Sequence, residues 1–278
     1  MTHAIPGENE VVALMSLDDH VYAVRHNEIE VYDSVTLTQQ IVWAPGISAS
    51  IAGIAACSRN KCLYLSDWGG PRIRHINLDM DAMKTWPVAN SPRGLSVNGD
   101  GNLLVACGTD NKLQEYTTDG RLVREICLPA GLDSPWHAIQ LSTGDYVVSH
   151  NKSPGVVSVV GVDGRLLRSY GPSSSSDIGP MKNPRSLAVT KHDDVLVADQ
   201  GNNRILAINS SLTRAQVFPL PDDLRLEQPF ALYLDDARDR LYIGEWGGRH
   251  RVIALTTRAG FLKTLFRPPV YGSNGRLC

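Results

Sequence analysis

Short apolar segments with Tyr or Leu in second place recur along the chain. They are Val21-Tyr22-Ala23-Val24, Leu63-Tyr64-Leu65, Leu103-Leu104-Val105, Asp145-Tyr146-Val147-Val148, Val195-Leu196-Val197 and Leu241-Tyr242-Ile243. The second positions, 22, 64, 104, 146, 196 and 242, are separated by 42, 40, 42, 50 and 46 residues. Near-equal steps over almost the whole length mark a repeat architecture. The fifth unit reads as four runs, Ser186–Val189, Val195–Ala198, Arg204–Ile208 and Ala215–Pro219. The gaps between them are His192-Asp193-Asp194, Gly201-Asn202-Asn203 and Asn209–Thr213. Runs rich in Val, Ile and Leu between Gly, Asn and Asp clusters predict strands and turns. No window of a dozen residues carries a helical period.

One four-stranded unit cannot bury both of its faces. Six arranged about an axis bury each sheet between neighbours, so the pattern predicts an all-β fold, a six-bladed β-propeller of four-stranded antiparallel blades. The blades are expected near 9–46, 50–89, 92–130, 132–172, 183–219 and 228–267, giving one domain over 8–270 and a tail at 271–278. The first and last units each read as four strands, so no strand exchange is expected. Closure of the ring then falls to Met1–Gly7 or Pro268–Cys278.

Composition narrows the function classes. The protein has 278 residues, 42% of them hydrophobic, which supplies a core and excludes disorder. No apolar run reaches the ~20 residues of a membrane helix, and Met1–Glu10 lacks the basic-then-apolar layout of a signal peptide. With five scattered cysteines, read as unpaired, this favours the cytoplasm. Cys57 and Cys62 flank a four-residue loop and are expected to face each other across a hairpin as reduced thiols. A net charge of −2 argues against a general polyanion binder.

The unit Asn183-Pro184-Arg185-Ser186-Leu187-Ala188-Val189, followed by Val195-Leu196-Val197-Ala198-Asp199-Gln200-Gly201-Asn202-Asn203-Arg204-Ile205, resembles the NHL repeat of six-bladed propellers. Ser91-Pro92-Arg93-Gly94-Leu95-Ser96-Val97 and Gln228-Pro229-Phe230-Ala231-Leu232 repeat its opening, and Ser66-Asp67-Trp68-Gly69-Gly70-Pro71-Arg72-Ile73 its middle. WD40 and kelch patterns fit less well: no Trp-Asp pair ends a strand in the required place, and Gly-Gly pairs occur in only two units. The resemblance implies binding roles, as in the C-terminal NHL domain of tripartite-motif proteins. Those domains recognise protein substrates, and several bind short single-stranded RNA on the upper face. No RING, B-box or coiled-coil pattern accompanies the repeats, so ligase activity would have to lie elsewhere.

Asp67/Arg72 and Asp199/Arg204 match the repeat's internal acid-to-Arg spacing, Glu245/Arg251 loosely so, and Cys107/Lys112 has lost the acid. An acid ending the second strand can accept loop amides while the Arg reaches back to it, so these residues are read as braces rather than catalysts. The residue after each second strand is expected on the upper face, where blades are also joined: His26, Trp68, Gly108, His150, Gln200 and Trp246. The residues after each blade-opening Pro add Arg93, Trp136, His137, Arg185 and Phe230. Ligand binding is therefore expected at His26, Trp68, Arg93, Trp136, His137, His150, Arg185, Phe230 and Trp246, since Trp and Arg dominate binding hot spots. The glycines after Trp68 and Trp246 are read as allowing close approach of a ligand or another backbone.

His26, His137 and His150 could mimic the three-histidine zinc site of amidating-lyase propellers, but no ligand spacing supports them, and no metal, cofactor or catalytic residue is assigned. Arg25, Arg93, Lys112, Lys152, Arg185 and Arg249 could attract RNA, opposed by Asp67, Asp110, Asp133 and Glu245. The balance favours a non-enzymatic scaffold that recognises a protein or peptide, with single-stranded RNA as a variant. A carbohydrate-binding propeller using Trp68 and Trp246 is the alternative, and a lyase or lactonase the third.

Overall fold

The computed structural model describes residues 2–25, 28–43, 51–68, 70–79, 82–172, 178–256 and 266. Within them the protein forms six four-stranded antiparallel sheets. Blade 1 is Val11–Leu17, His20–Arg25, Glu28–Asp33 and Gln39–Trp43, and blade 2 is Ile51–Cys57, Cys62–Asp67, Arg72–Asn77 and Ala82–Pro87. Blade 3 is Pro92–Val97, Leu103–Cys107, Lys112–Tyr116 and Leu122–Cys127. Blade 4 is Pro135–Gln140, Tyr146–His150, Val156–Val160 and Leu166–Tyr170, and blade 5 is Pro184–Val189, Val195–Asp199, Arg204–Ile208 and Ala215–Val217. The first strands of successive blades pack side by side around the axis, and those of blades 6 and 1 close the circle. No helix among the described residues is long and apolar enough to cross a membrane.

The core is not one mass but six layers, each between two blades. In blade 3, Leu103, Val105 and Cys107 face blade 2, whereas Leu104 and Ala106 face blade 4. Alternate side chains point to opposite faces of a strand, and both faces are buried. That explains why the second strands are continuously apolar instead of alternating.

Unit four departs from the expected phase. Tyr22, Tyr64, Leu104, Leu196 and Tyr242 each pack toward the following blade, but Tyr146 packs toward the preceding one and its hydroxyl donates to Glu115 Oε2 at 3.0 Å. Tyr146 sits one residue earlier in its strand than its counterparts, because His150, not Ser149, pairs with the blade-opening Pro135 as Asp199 pairs with Pro184. A shift of one residue flips every side chain to the other face. The repeat position in this unit is therefore Val147.

The last blade is also built differently from expectation. Pro229–Asp235, Arg240–Glu245 and Val252–Thr256 form its inner three strands, and the outermost is Thr2–Ile5 from the N-terminus, antiparallel to Val252–Thr256. A strand exchange thus latches the ring, and of the two closures expected, Met1–Gly7 supplies it. The residues expected to form a fourth strand in this unit, and the tail 271–278, lie outside the described residues apart from Phe266, which packs against the layer between blades 5 and 6. Cys57 and Cys62 face each other in the register of blade 2 as buried free thiols, with burial pushing the Cys62 thiol up.

The latch is testable. Removing residues 2–5 frees the edge of blade 6 and should lower Tm by roughly 5 °C or more. A thermal melt with an unchanged midpoint would show that the ring does not depend on this strand.

Candidate functional site

In all six blades the first strand is bulged at the same place, just inside its upper end. The register slips between Val11 and Ala13, Ile51 and Gly53, Pro92 and Leu95, Pro135 and His137, Pro184 and Leu187, and Pro229 and Ala231. A bulge leaves a residue unpaired and re-aims its side chain. The equivalent positions hold Val12, Ala52, Arg93, Trp136, Arg185 and Phe230, and these form the mouth of the axial channel.

Trp136 lies across that mouth. Its ring is 5.8 Å from Trp68 of blade 2 and 5.3 Å, edge-on, from Phe230 of blade 6. The Arg93 and Arg185 guanidinium carbons sit 4.6 Å and 4.0 Å from its ring centre, coming from blades 3 and 5. Phe230 stacks in turn on Trp246 at 4.8 Å. Trp136 and Phe230 are buried, while Trp68 and Trp246 remain 49% and 37% exposed. Arg185 also donates from Nε to Gln200 Oε1 at 2.7 Å. Above this plate is a cup of about 220 Å³ lined by Glu10, Val12, Ile51, Ala52 and the Trp68, Trp136, Phe230 and Trp246 rings. Below it an axial cavity of about 260 Å³ runs between the inner strands, and Trp136 and Phe230 line both.

The structure thus brings together Trp68, Arg93, Trp136, Arg185, Phe230 and Trp246, and separates His137 and His150 from them. His137 lies inside the channel wall, where Nδ1 accepts from Leu187 N–H at 3.0 Å and Nε2 donates to the Leu95 carbonyl at 3.0 Å. One imidazole thereby ties blades 3, 4 and 5. It fits because blade 3 has Gly94 beside it; a Cβ there would fall 2.6 Å from His137 Cδ2. His150 was expected just after its strand, but with unit four out of phase it ends the strand and takes the place of the acid. Its ring contacts the Asp133 carbonyl at 3.2 Å and Ser158 Oγ at 2.7 Å. Every ring nitrogen of both histidines is engaged within the protein, leaving no lone pair for a metal. His26 lies outside the described residues.

The braces share one purpose. Asp199 accepts Lys182 N–H at 2.7 Å and pairs with Arg204 at 2.7 Å; Glu245 accepts Glu227 N–H at 2.8 Å and pairs with Arg251 at 2.6 Å. Each pins the linker that enters the blade. Asp67 pairs with Arg74 at 3.0 Å and Arg72 at 3.6 Å. In blade 3, where Cys107 replaces the acid, Gln114 Oε1 receives Ala89 N–H at 2.8 Å instead. In blade 5 Arg204 also reaches the Ile178 and Pro180 carbonyls, so the end of the connection 171–182 that enters this blade is tied to its brace, while 173–177 lie outside the described residues.

Those pairs change the charge of the mouth. Asp67 and Glu245, counted in the sequence as opposing a polyanion, are buried and neutralised. Arg25 and Lys112, counted as attracting one, pair with Glu30 and Glu125, and Lys152 donates to the Gly131 carbonyl at 2.6 Å. The glycines beside the tryptophans also serve the fold. Gly248 adopts φ +65 against Glu227, and Gly70 makes room for Arg72. Gly69 is outside the described residues. Glu10, Val12, Ile51 and Ala52 escaped the sequence reading; Val12 and Ala52 would have emerged from aligning the bulge position across all units, whereas Glu10 precedes its blade and carries no repeat signal.

No family model matches this protein, and no curated protein matches it in sequence. Solved structures do share its shape. A virginiamycin B lyase from Staphylococcus aureus superposes with TM-score 0.68 at 13% identity, over 93% of this chain and 99% of that one. An auxiliary nutrient binding protein from Bacteroides thetaiotaomicron gives 0.68 at 16%, over 88% and 68%. A WD40 β-propeller domain gives 0.63 at 12%, over 92% and 97%. At such identities the likeness is one of fold alone.

Burial pushes the His137 and His150 imidazoles down to about 4, against about 6.5 in an unfolded chain. Between those values the unfolded state takes up protons that the folded protein refuses. Stability should therefore fall as pH drops from about 6.5 toward about 4, by on the order of 3 kcal/mol per imidazole at the acid end. Urea unfolding across this window measures it. In His137→Gln, whose carboxamide can accept from Leu187 N–H and donate to the Leu95 carbonyl without titrating, the histidine part of the slope should drop by about half. An unaltered slope would mean that His137 does not titrate as its burial requires.

Proposed function

We propose that this protein is an NHL-type propeller whose upper face recognises a peptide segment of a partner protein. One observation carries the reading: Trp68, Arg93, Trp136, Arg185, Phe230 and Trp246, drawn from five blades, touch one another in an unbroken surface beside an apolar cup. Large rings held by neighbouring rings offer contact area at small entropic cost, and Trp and Arg anchor binding sites. The cup admits a bulky side chain, with the exposed Trp68 and Trp246 rings at its rim. The NHL assignment is supported by the Asp199–Arg204 brace, by Asp67–Arg72 at the same spacing, and more loosely by Glu245–Arg251, one residue longer.

A peptide suits the surface better than the alternatives. A sugar needs broad, open ring faces, and one face of Trp246 is already given to Phe230. A nucleic acid needs a run of free cations, yet Arg25 and Lys112 are spent on internal pairs.

Peptides selected from a phage-displayed random library on the full-length protein should bind Trp68→Ala and Trp246→Ala at least about tenfold more weakly than wild type. Each ring also packs on a neighbour, Trp68 on Trp136 and Trp246 on Phe230, so a thermal melt accompanies each variant and binding is compared on protein that is folded. Selected peptides indifferent to both changes would overturn the reading, and a glycan array or a hexauridylate titration giving the tighter, Trp-dependent signal would reassign the face to sugar or RNA.

A further inference from the structure

Arg93 and Arg185 stand apart from the paired arginines of the upper face. Arg25, Arg72, Arg74, Arg204 and Arg251 are all in ion pairs. Neither Arg93 nor Arg185 has a carboxylate partner among the described residues, although both rest on the same indole ring. Among the described residues Arg93 Nε and Nη1 are buried with no acceptor, and Arg185 donates from Nε to Gln200. Burial lowers both guanidiniums, Arg185 to about 10, and the Arg93 charge contributes to that shift. Two desolvated like charges, one of them with unmade hydrogen bonds, cost stability, and a protein that retains them at a mouth is prepared for an anion.

A second feature points the same way. Gly108 occupies in blade 3 the place that Trp68 and Trp246 occupy in theirs, and a Cβ on it would fall 2.4 Å from Arg93 Nε. The missing side chain is the seat of the guanidinium.

We infer that Arg93 and Arg185 form a clamp for a carboxylate presented by a peptide, either on an acidic residue or at the peptide's own C-terminus, while the rings of the mouth hold the neighbouring apolar group. The inference rests on the peptide reading above and names its chemistry. Planar guanidinium forks match a carboxylate in geometry and charge. A phosphodiester backbone would bring its repeated charges against Glu10 in the cup and the exposed Asp110 and Asp133, whereas one carboxylate needs only the clamp.

The test follows the tryptophan indole N–H signals of the full-length protein by NMR at constant ionic strength. The probes are N-acetylphenylalanine, N-acetylglutamate α-amide, N-acetylphenylalaninamide and uridine 5′-monophosphate. The first two carry a terminal and a side-chain carboxylate, and whichever binds more tightly identifies the source. Either acid should shift the Trp136 signal saturably, raise the wild-type Tm, and bind Arg93→Gln and Arg185→Gln about tenfold or more weakly. Arg185→Lys, which keeps the charge and loses the fork, should fall between. Gly108→Ala, which unseats Arg93 without touching either arginine, should also weaken binding, and a melt shows whether each variant is folded. If the neutral amide binds as well as its acid, the clamp is wrong while the peptide reading survives. If uridine monophosphate binds more tightly than both acids, or if no probe moves an indole signal, the clamp is overturned. The peptide reading fails separately, by library peptides that ignore Trp68 and Trp246.

Discussion

Everything in this molecule depends on the burial of both faces of every blade. A four-stranded sheet with apolar side chains on its two sides has no stable surface to show to water, and only a neighbour on each side satisfies it. The six core layers are the result, each contributed half by one blade and half by the next. Such a ring is only as good as its last contact, because an open ring leaves two apolar faces exposed. The pairing of Thr2–Ile5 with Val252–Thr256 makes that contact part of the backbone ladder, so the circle is closed by hydrogen bonds as well as by packing.

Radial stacking brings six inner strands together at the axis, and the crowding there explains much local detail. The residue after each bulge is Ala13, Gly53, Gly94, His137, Ser186 or Ala231, small in every blade but the fourth. His137 is accommodated by Gly94, and it joins three inner strands through two hydrogen bonds. Seryl hydroxyls do similar work: Ser66, Ser96 and Ser149 donate to the Arg93, Ala138 and Arg185 carbonyls of the next blade at 2.6, 2.7 and 2.5 Å. The carbonyls of Arg93 and Arg185 are thus fixed by neighbouring blades. The bases of the two mouth arginines are held by neighbouring blades even though their tips have no carboxylate partner among the described residues.

This separates scaffold from site. Braces at the ends of the second strands recur because each blade must pin the linker that enters it, and the chemistry varies while the task does not: carboxylates in Asp199 and Glu245, a carboxamide from Gln114, an imidazole in His150. The bulge position behaves in the opposite way. The register slip recurs in every blade, while the side chain it re-aims differs, from Ala52 to Trp136, because it is turned to the mouth, where it meets the side chains of other blades and not the repeated layer between two sheets. A backbone device repeated in every blade, carrying a different side chain in each, is how a repeat fold builds a particular surface.

The blade count, the strand content and most of the mouth were legible in the sequence, because they depend on local patterns. A rhythm of apolar runs and turn residues, 40 residues or a little more per unit, has few three-dimensional readings, and the residue after each opening Pro marks Arg93, Trp136, Arg185 and Phe230. Three things were not legible. The one-residue phase of unit four is invisible along the sequence, since Tyr146 looks like Tyr64 until strand pairing assigns it a face, and that slip alone moved His150 from the rim into the wall. The closing strand has ordinary local character, and only the ring decides where it pairs. The charge of the mouth depends on which acids and bases find each other across strands, so Asp67 and Glu245 disappear into braces while Arg93 and Arg185 meet no carboxylate among the described residues. By itself the sequence determined the repeating unit and its number, because periodicity and turn chemistry act over a few residues. Tertiary structure alone decided register, closure and the residual charge, because those are settled between groups far apart in the sequence.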